Sequence, residues 1–155
     1  MRNLRVRHRA LACALFLAFC GVANASPRLP MADDGGRAAR IGSSLIAEAM
    51  RFLGAGNFTG TRGPWCADAV SAWLTRTGHR PLPGRMAASA LTYGPRTRNP
   101  KPGDLIVLGG RRGASHVGLF AGWDRGRAVM ISGNWSGHVL RAEVSVRSVV
   151  AFVST

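Results

Sequence analysis

Beyond residue 25, four thiol or imidazole side chains could carry chemistry: Cys66, His79, His116 and His138. A thiol becomes a nucleophile when it ionises, and a histidine is the side chain that exchanges protons near neutral pH. Cys66 stands in Gly63-Pro64-Trp65-Cys66-Ala67-Asp68, where Pro64 suits a first helical turn and Ala69, Val70, Trp73 and Leu74 recur on one helical face. This spacing predicts a helix over 64–77, ended by Gly78. Cys66 then lies in the first turn, where unpaired N–H groups and the helix dipole favour an anion. With a histidine nearby, such a position lowers a thiol pKa from about 8.5 to roughly 3.5–7.5. Trp65 has two readings, a shield over the site or an ordinary core aromatic.

The base must come from the histidines. His116 follows the Gly-rich stretch GGRRGAS and opens a β-branched run in which alternation sets it on one sheet face with Gly118 and Phe120. Gly118, without a side chain, is expected to leave room beside the imidazole. His138 also starts a strand-like run and is the rival, whereas His79 follows the helix-ending Gly78 and reads as a surface residue.

The cysteine count sharpens the question. Residues 1–9 hold four arginines and no acid, residues 10–22 are uncharged and apolar, and Ala23-Asn24-Ala25 follows. These are the parts of a secretory signal peptide over 1–25, with cleavage between Ala25 and Ser26. The apolar run is shorter than the roughly 20 residues of a membrane span, and bulky Phe19 before Cys20 argues against a lipid attachment site. Cleavage removes Cys13 and Cys20 and leaves Cys66 alone. An unpaired cysteine in an exported protein is buried and inert, paired between molecules, or reactive.

Losing Arg2, Arg5, Arg7 and Arg9 takes the formal net charge from +14 to +10. Strong positive charge often means nucleic acid, but an exported protein meets anionic glycans and lipid headgroups instead. The arginines are scattered singly or in pairs, as on a solvated basic surface.

The positioning elements follow from pattern. Residues 26–40, with two prolines and a Gly pair, read as a flexible leader. Ile41, Leu45, Ala49 and Phe52 predict a helix over 41–53, capped by Ser43 or Ser44 and stopped at Gly54. Residues 54–63 hold four glycines and form a loop into the cysteine, and residues 79–103 hold five prolines, with a short helix across 87–93. Short apolar runs at 104–108, 116–121, 128–132, 139–144 and 148–153 then predict strands. Helices first and strands afterwards imply one α+β domain over 41–155 with an antiparallel sheet.

GPWCADAVSAW, then KPGDLIVL, SHVGLFAG and SGNWSG in that order resemble the CHAP group of papain-like amidases and peptidases, relatives of the NlpC/P60 peptidases. The resemblance spans roughly residues 41–145. It implies a papain-like, NlpC/P60-like fold with N-terminal helices on a C-terminal antiparallel sheet. By position it implies Cys66 as nucleophile, His116 as general base and acid, and Asn134 as the polar residue that orients the imidazole. Many members carry Glu two residues before the Asn; this chain has Ser132-Gly133-Asn134-Trp135. A neutral orienter suffices where the ring needs holding more than it needs a third charge.

The implied activity is a periplasmic or secreted peptidoglycan hydrolase, an N-acetylmuramoyl-L-alanine amidase or a stem-peptide endopeptidase, working by acyl transfer through Cys66. Trp65 and Trp135 are the substrate-contact candidates, Trp135 shaping the cleft or stacking on sugar or serving the core. Asp104 reads as a turn residue and Asp68 as support for the helix start. No cofactor is implied, and no metal, since neither H-x-x-x-H nor paired-Cys spacing occurs. The expected partners are peptidoglycan or muropeptides with transient contacts to the anionic envelope, not nucleic acid, and the expected state is a monomer. A catalytically degenerate wall-binding or periplasmic protein of the same fold is the first alternative, and a cationic nucleic-acid or membrane-surface binder, whose binding would weaken steeply with salt, is the second.

Overall fold

The computed structural model describes residues 44–110 and 113–155. The expected signal peptide over 1–25, the leader over 26–40 and the start of the first helix lie outside the described residues. Residues 44–50 are helical (α1), with Leu45 and Ala49 one turn apart and both fully buried. The chain leaves the helix through turns over 51–54, where Gly54 takes φ +80°, and its N–H then meets the Val139 carbonyl at 2.9 Å.

Helix α2 runs Cys66–Arg76, two residues later than its pattern predicts. Trp65 is the N-cap, so Pro64 precedes the helix, while Cys66 takes its first position. Cys66, Ala67, Ala69, Val70, Trp73 and Leu74 are buried, each large apolar side chain contributing roughly 1.5–3 kcal/mol. The Thr77 hydroxyl closes the other end by donating toward the carbonyls of Trp73 and Leu74.

The proline-rich loop holds a 3-10 helix over Ala87–Thr92. Arg80 braces it: its guanidinium donates to the Tyr93 carbonyl and stacks over the Tyr93 ring at 4.4 Å, while Tyr93 Oη donates to the Arg80 carbonyl at 3.0 Å. The Leu82 amide is tied to Ser71 Oγ on α2 at 3.2 Å.

Among the described residues six strands form one antiparallel sheet: β1 (Arg96–Thr97), β2 (Leu105–Gly110), β3 (Gly113–Asp124), β4 (Arg127–Trp135), β5 (His138–Val144) and β6 (Val149–Val153), in the order β1-β6-β2-β3-β4-β5. The long β3–β4 ribbon turns through Arg125 (φ +46°) and Gly126 (φ +77°), and β4–β5 through Ser136 (φ +52°) and Gly137 (φ +81°). Two left-handed residues between paired strands match the right-handed strand twist.

One sheet face packs on the helices, with Val117, Leu119, Ile131 and Val139 against Leu45, Ala69, Val70 and Trp73. The other face gathers Ile106, Leu108, Phe120, Ala128, Met130 and Val144. Gly133 permits the close approach of α2: a Cβ there would lie 2.4 Å from Trp65 Cζ3 and 2.5 Å from Ala69 Cβ. Asp104 is a turn residue, accepting the Lys101 N–H at 2.8 Å. No helix among the described residues is long and apolar enough to cross a membrane.

Candidate active site

The start of α2 meets the start of β3 at Cys66. Cys66 is a free cysteine with 5% of its surface exposed, and the Val117 backbone N–H faces its sulfur together with the N–H groups of Ala67 and Cys66 itself. Those donors favour the thiolate. Burial opposes them and is the larger effect, and the Asp68 carboxylate adds to it, so the thiol pKa is raised. The depression expected from the helix start is therefore reversed by desolvation.

Val117 follows His116 on β3, so the N–H that faces the sulfur and the imidazole belong to adjacent residues; alternation turns their side chains to opposite sheet faces, and among the described residues no hydrogen bond joins Cys66 and His116. His116 Nε2 lies 2.5 Å from Ser132 Oγ. Ser132 is fully buried on β4, and its hydroxyl also lies 2.8 Å from the Val117 carbonyl and 3.0 Å from the Gly133 carbonyl. A hydroxyl has one proton, and neither carbonyl can donate. The arrangement is satisfied when Ser132 donates to a carbonyl and accepts from His116 Nε2–H. That tautomer leaves the Nδ1 lone pair free to act as a base. Burial lowers the His116 pKa, again favouring the neutral ring. Both shifts run toward the uncharged forms, thiol and neutral imidazole.

Asn134 sits at the irregularity between β4 and β5 with φ +57°, a left-handed conformation that asparagine tolerates. Among the described residues no hydrogen bond links it to His116; Ser132 occupies the contact the resemblance gives to Asn134. Trp135 is half-buried and meets the imidazole edge-on, ring centroids 5.1 Å apart. His116, Asn134 and Trp135 line a cavity of about 560 Å³, and Cys66 lines a second of about 320 Å³ with Arg62, Arg85 and Ala114. Ser115 lines both.

Trp65, a substrate-contact candidate on sequence, is 3% exposed and lies edge-on to Phe58 at 5.9 Å; it supports α2 and offers no face to a ligand. The space beside Gly118 is not left for the imidazole but filled from β4, since a Cβ there would lie 2.6 Å from the Ile131 carbonyl and 2.7 Å from Met130 Cγ. His79 Nδ1 pairs with Thr77 Oγ1 at 3.1 Å, and exposed His138 places Nδ1 3.1 Å from the Ser136 carbonyl. Asp68 in the first turn of α2 holds Arg85, with Nε 3.1 Å from Oδ1 and Nη2 3.2 Å from Oδ2. Among the described residues no three His, Cys, Asp or Glu side chains converge as a metal site.

Sequence reading passed over Ser132 and Arg85. Ser132 had a signal, since it stands where many members of the group the sequence resembles carry Glu and alternates in phase with Met130 on β4. The reach of Arg85 to Asp68 is set by the path of the proline-rich loop, which has no periodicity to read.

The helix-on-antiparallel-sheet architecture is the NlpC/P60 fold. The NlpC/p60 domain of the peptidoglycan hydrolase SagA superposes with a TM-score of 0.57 at 21% identity, over 74% of this chain and 98% of that one. RipD from Mycobacterium tuberculosis, described as a non-catalytic NlpC/p60 domain protein adapted to peptidoglycan binding, gives 0.53 at 18% identity, over 74% and 96%. An NlpC/P60 family protein from Bacillus cereus gives 0.56 at 17% identity, over 72% of this chain and 39% of that one. No family model and no curated protein sequence matches the chain.

Proposed function

We propose that the protein is an exported, CHAP-like cysteine hydrolase that cleaves an amide bond of peptidoglycan, as an N-acetylmuramoyl-L-alanine amidase or a stem-peptide endopeptidase. One observation carries the reading: the Cys66 sulfur faces the Val117 amide at the start of α2, one residue from an imidazole held through Nε2 by Ser132. In the reaction His116 Nδ1 accepts the thiol proton as the sulfur attacks the amide carbonyl. Backbone N–H groups at the start of α2 receive the developing oxyanion. His116 then gives its proton to the departing amine, the C–N bond breaks, and a thioester remains on Cys66. Water, losing a proton to His116, attacks the thioester, releasing the carboxylic acid and restoring the thiol. Trp135 and Asn134 line the substrate's path beyond the imidazole. Residues 1–25 direct export and are removed after Ala25, and residues 26–40 lead into the catalytic domain over 41–155.

Incubating the protein with purified peptidoglycan and identifying released fragments by mass spectrometry tests the reading and separates the two bonds. Cys66→Ala and iodoacetamide are expected to abolish release, and a chelator to leave it intact. Undiminished release by Cys66→Ala rejects the mechanism.

A second reading is a wall-binding protein without turnover. The burial that raises the Cys66 pKa and lowers that of His116, with 5% of Cys66 exposed, favours it, and RipD is a neighbour of that kind. On this reading the unmodified protein pellets with peptidoglycan and releases no fragment.

A further inference from the structure

The cavity in front of Cys66 is cationic. Arg62 and Arg85 line it, and among the described residues no carboxylate does. The two arginines differ in kind. Arg85 is neutralised by Asp68 through Nε and Nη2, and Nη2 also lies 3.5 Å from the Arg62 carbonyl. Arg62 is exposed, and among the described residues its guanidinium has no hydrogen bond or ion pair. The backbone that presents it is nonetheless held: Asn57 Nδ2 donates to the Thr61 carbonyl at 2.7 Å, and Asn57 Oδ1 accepts from Thr59 N and Oγ1 at 3.0 and 2.8 Å. An unpaired guanidinium on a braced loop beside a nucleophile is suited to a planar anion, because its fixed fork of donors matches a carboxylate.

We infer that Arg62 is a specificity determinant that receives a free carboxylate on the substrate beside the scissile amide. The inference rests on the hydrolase reading and narrows its substrate. Wall peptides with a free carboxylate at that place are preferred to those carrying a carboxamide, which has the same shape and no charge.

Two synthetic stem peptides differing only by carboxylate or carboxamide next to the cleaved bond provide the test. The wild-type protein is expected to show about tenfold higher kcat/KM for the carboxylate form, residing mainly in KM. Arg62→Gln is expected to bring the carboxylate peptide down to the level of the carboxamide, and Arg62→Lys to restore part of the difference. Equal turnover of both peptides by the wild type, or a preference that survives Arg62→Gln, overturns the inference. Binding of both peptides to Cys66→Ala, with and without Arg62→Gln, is measured by calorimetry in parallel. If the wild type cleaves neither peptide, the hydrolase reading fails and the binding difference still decides the role of Arg62. No difference in binding, or no binding, overturns it.

Discussion

The serine beside the imidazole is the residue on which this site turns. Replacing Ser132 by Ala removes the acceptor for Nε2–H and the donor to the Val117 and Gly133 carbonyls. The ring is then free to take the other tautomer or rotate, and kcat is expected to fall by up to about 100-fold with KM little changed. Stability is expected to fall by about 1–3 kcal/mol, as for a lost buried partner, and Ser132→Thr is expected to retain much of both. Nitrogen NMR shifts of His116 check the tautomer directly, and a proton found on Nδ1 sinks the argument. The pH dependence has two limbs. The lowered His116 pKa means that the unfolded chain binds a proton first as pH falls below about 6.5, so the stability tied to the neutral ring is lost below that point. The raised Cys66 pKa means that the unfolded chain loses a proton first above about 8.5, so stability falls again on the alkaline side. Thermal unfolding against pH should show a plateau between the two, with the alkaline limb flattened by Cys66→Ser and the acid limb by His116→Gln. Limbs unmoved by these substitutions reject the assignment.

At the scale of elements, the site depends on how closely α2 lies on β4. Gly133→Ala inserts a Cβ against Trp65 and Ala69 at distances no real contact has, and is expected to cost about 1–3 kcal/mol. Because Trp65 is the N-cap of α2 and Cys66 the next residue, the strain reaches the proposed nucleophile. Melting temperature and tryptophan emission should shift together, and an unchanged melting temperature shows that the helix gives way freely. Much of this level is legible in sequence. The apolar period of 64–77 with its stop at Gly78, and the strand pattern over 116–121, place α2 and β3 to within about three residues at each end. The short strand β1 is not legible, because two residues, Arg96 and Thr97, carry no alternation and are strand only by pairing with β6. Trp65 and Ser132 are ambiguous for a related reason. Whether a tryptophan meets ligand or core, and which polar side chain meets an imidazole, depends on contacts across the sheet that linear spacing does not contain.

At the scale of the whole molecule the excess of arginine remains to be accounted for. Glu48 pairs with Arg51 and Arg76, Asp68 with Arg85 and Glu143 with Arg127. These exposed pairs contribute about 0–1 kcal/mol each to stability, so their main effect is to cancel charge locally. Arg62, Arg96, Arg98, Arg125, Arg141 and Arg147 have no acidic partner among the described residues, and they make the surface field positive. Such a field attracts anionic surfaces, on the proposed function the cell wall, and weakens once the screening length drops to about 8 Å near 0.15 M salt. The proposed recognition beside Cys66 would act over contact distances and be screened less. The two are separable by experiment on Cys66→Ala, which on the proposed mechanism is expected to hold substrate without turnover. The fraction pelleting with purified peptidoglycan is expected to fall severalfold between about 20 mM and 300 mM salt, and preference for the carboxylate stem peptide over the carboxamide to persist across that range. Pelleting that ignores salt assigns wall association to the site alone and leaves the arginine surface without a role in binding; preference that vanishes with salt assigns it to the general field and removes Arg62 as a local determinant.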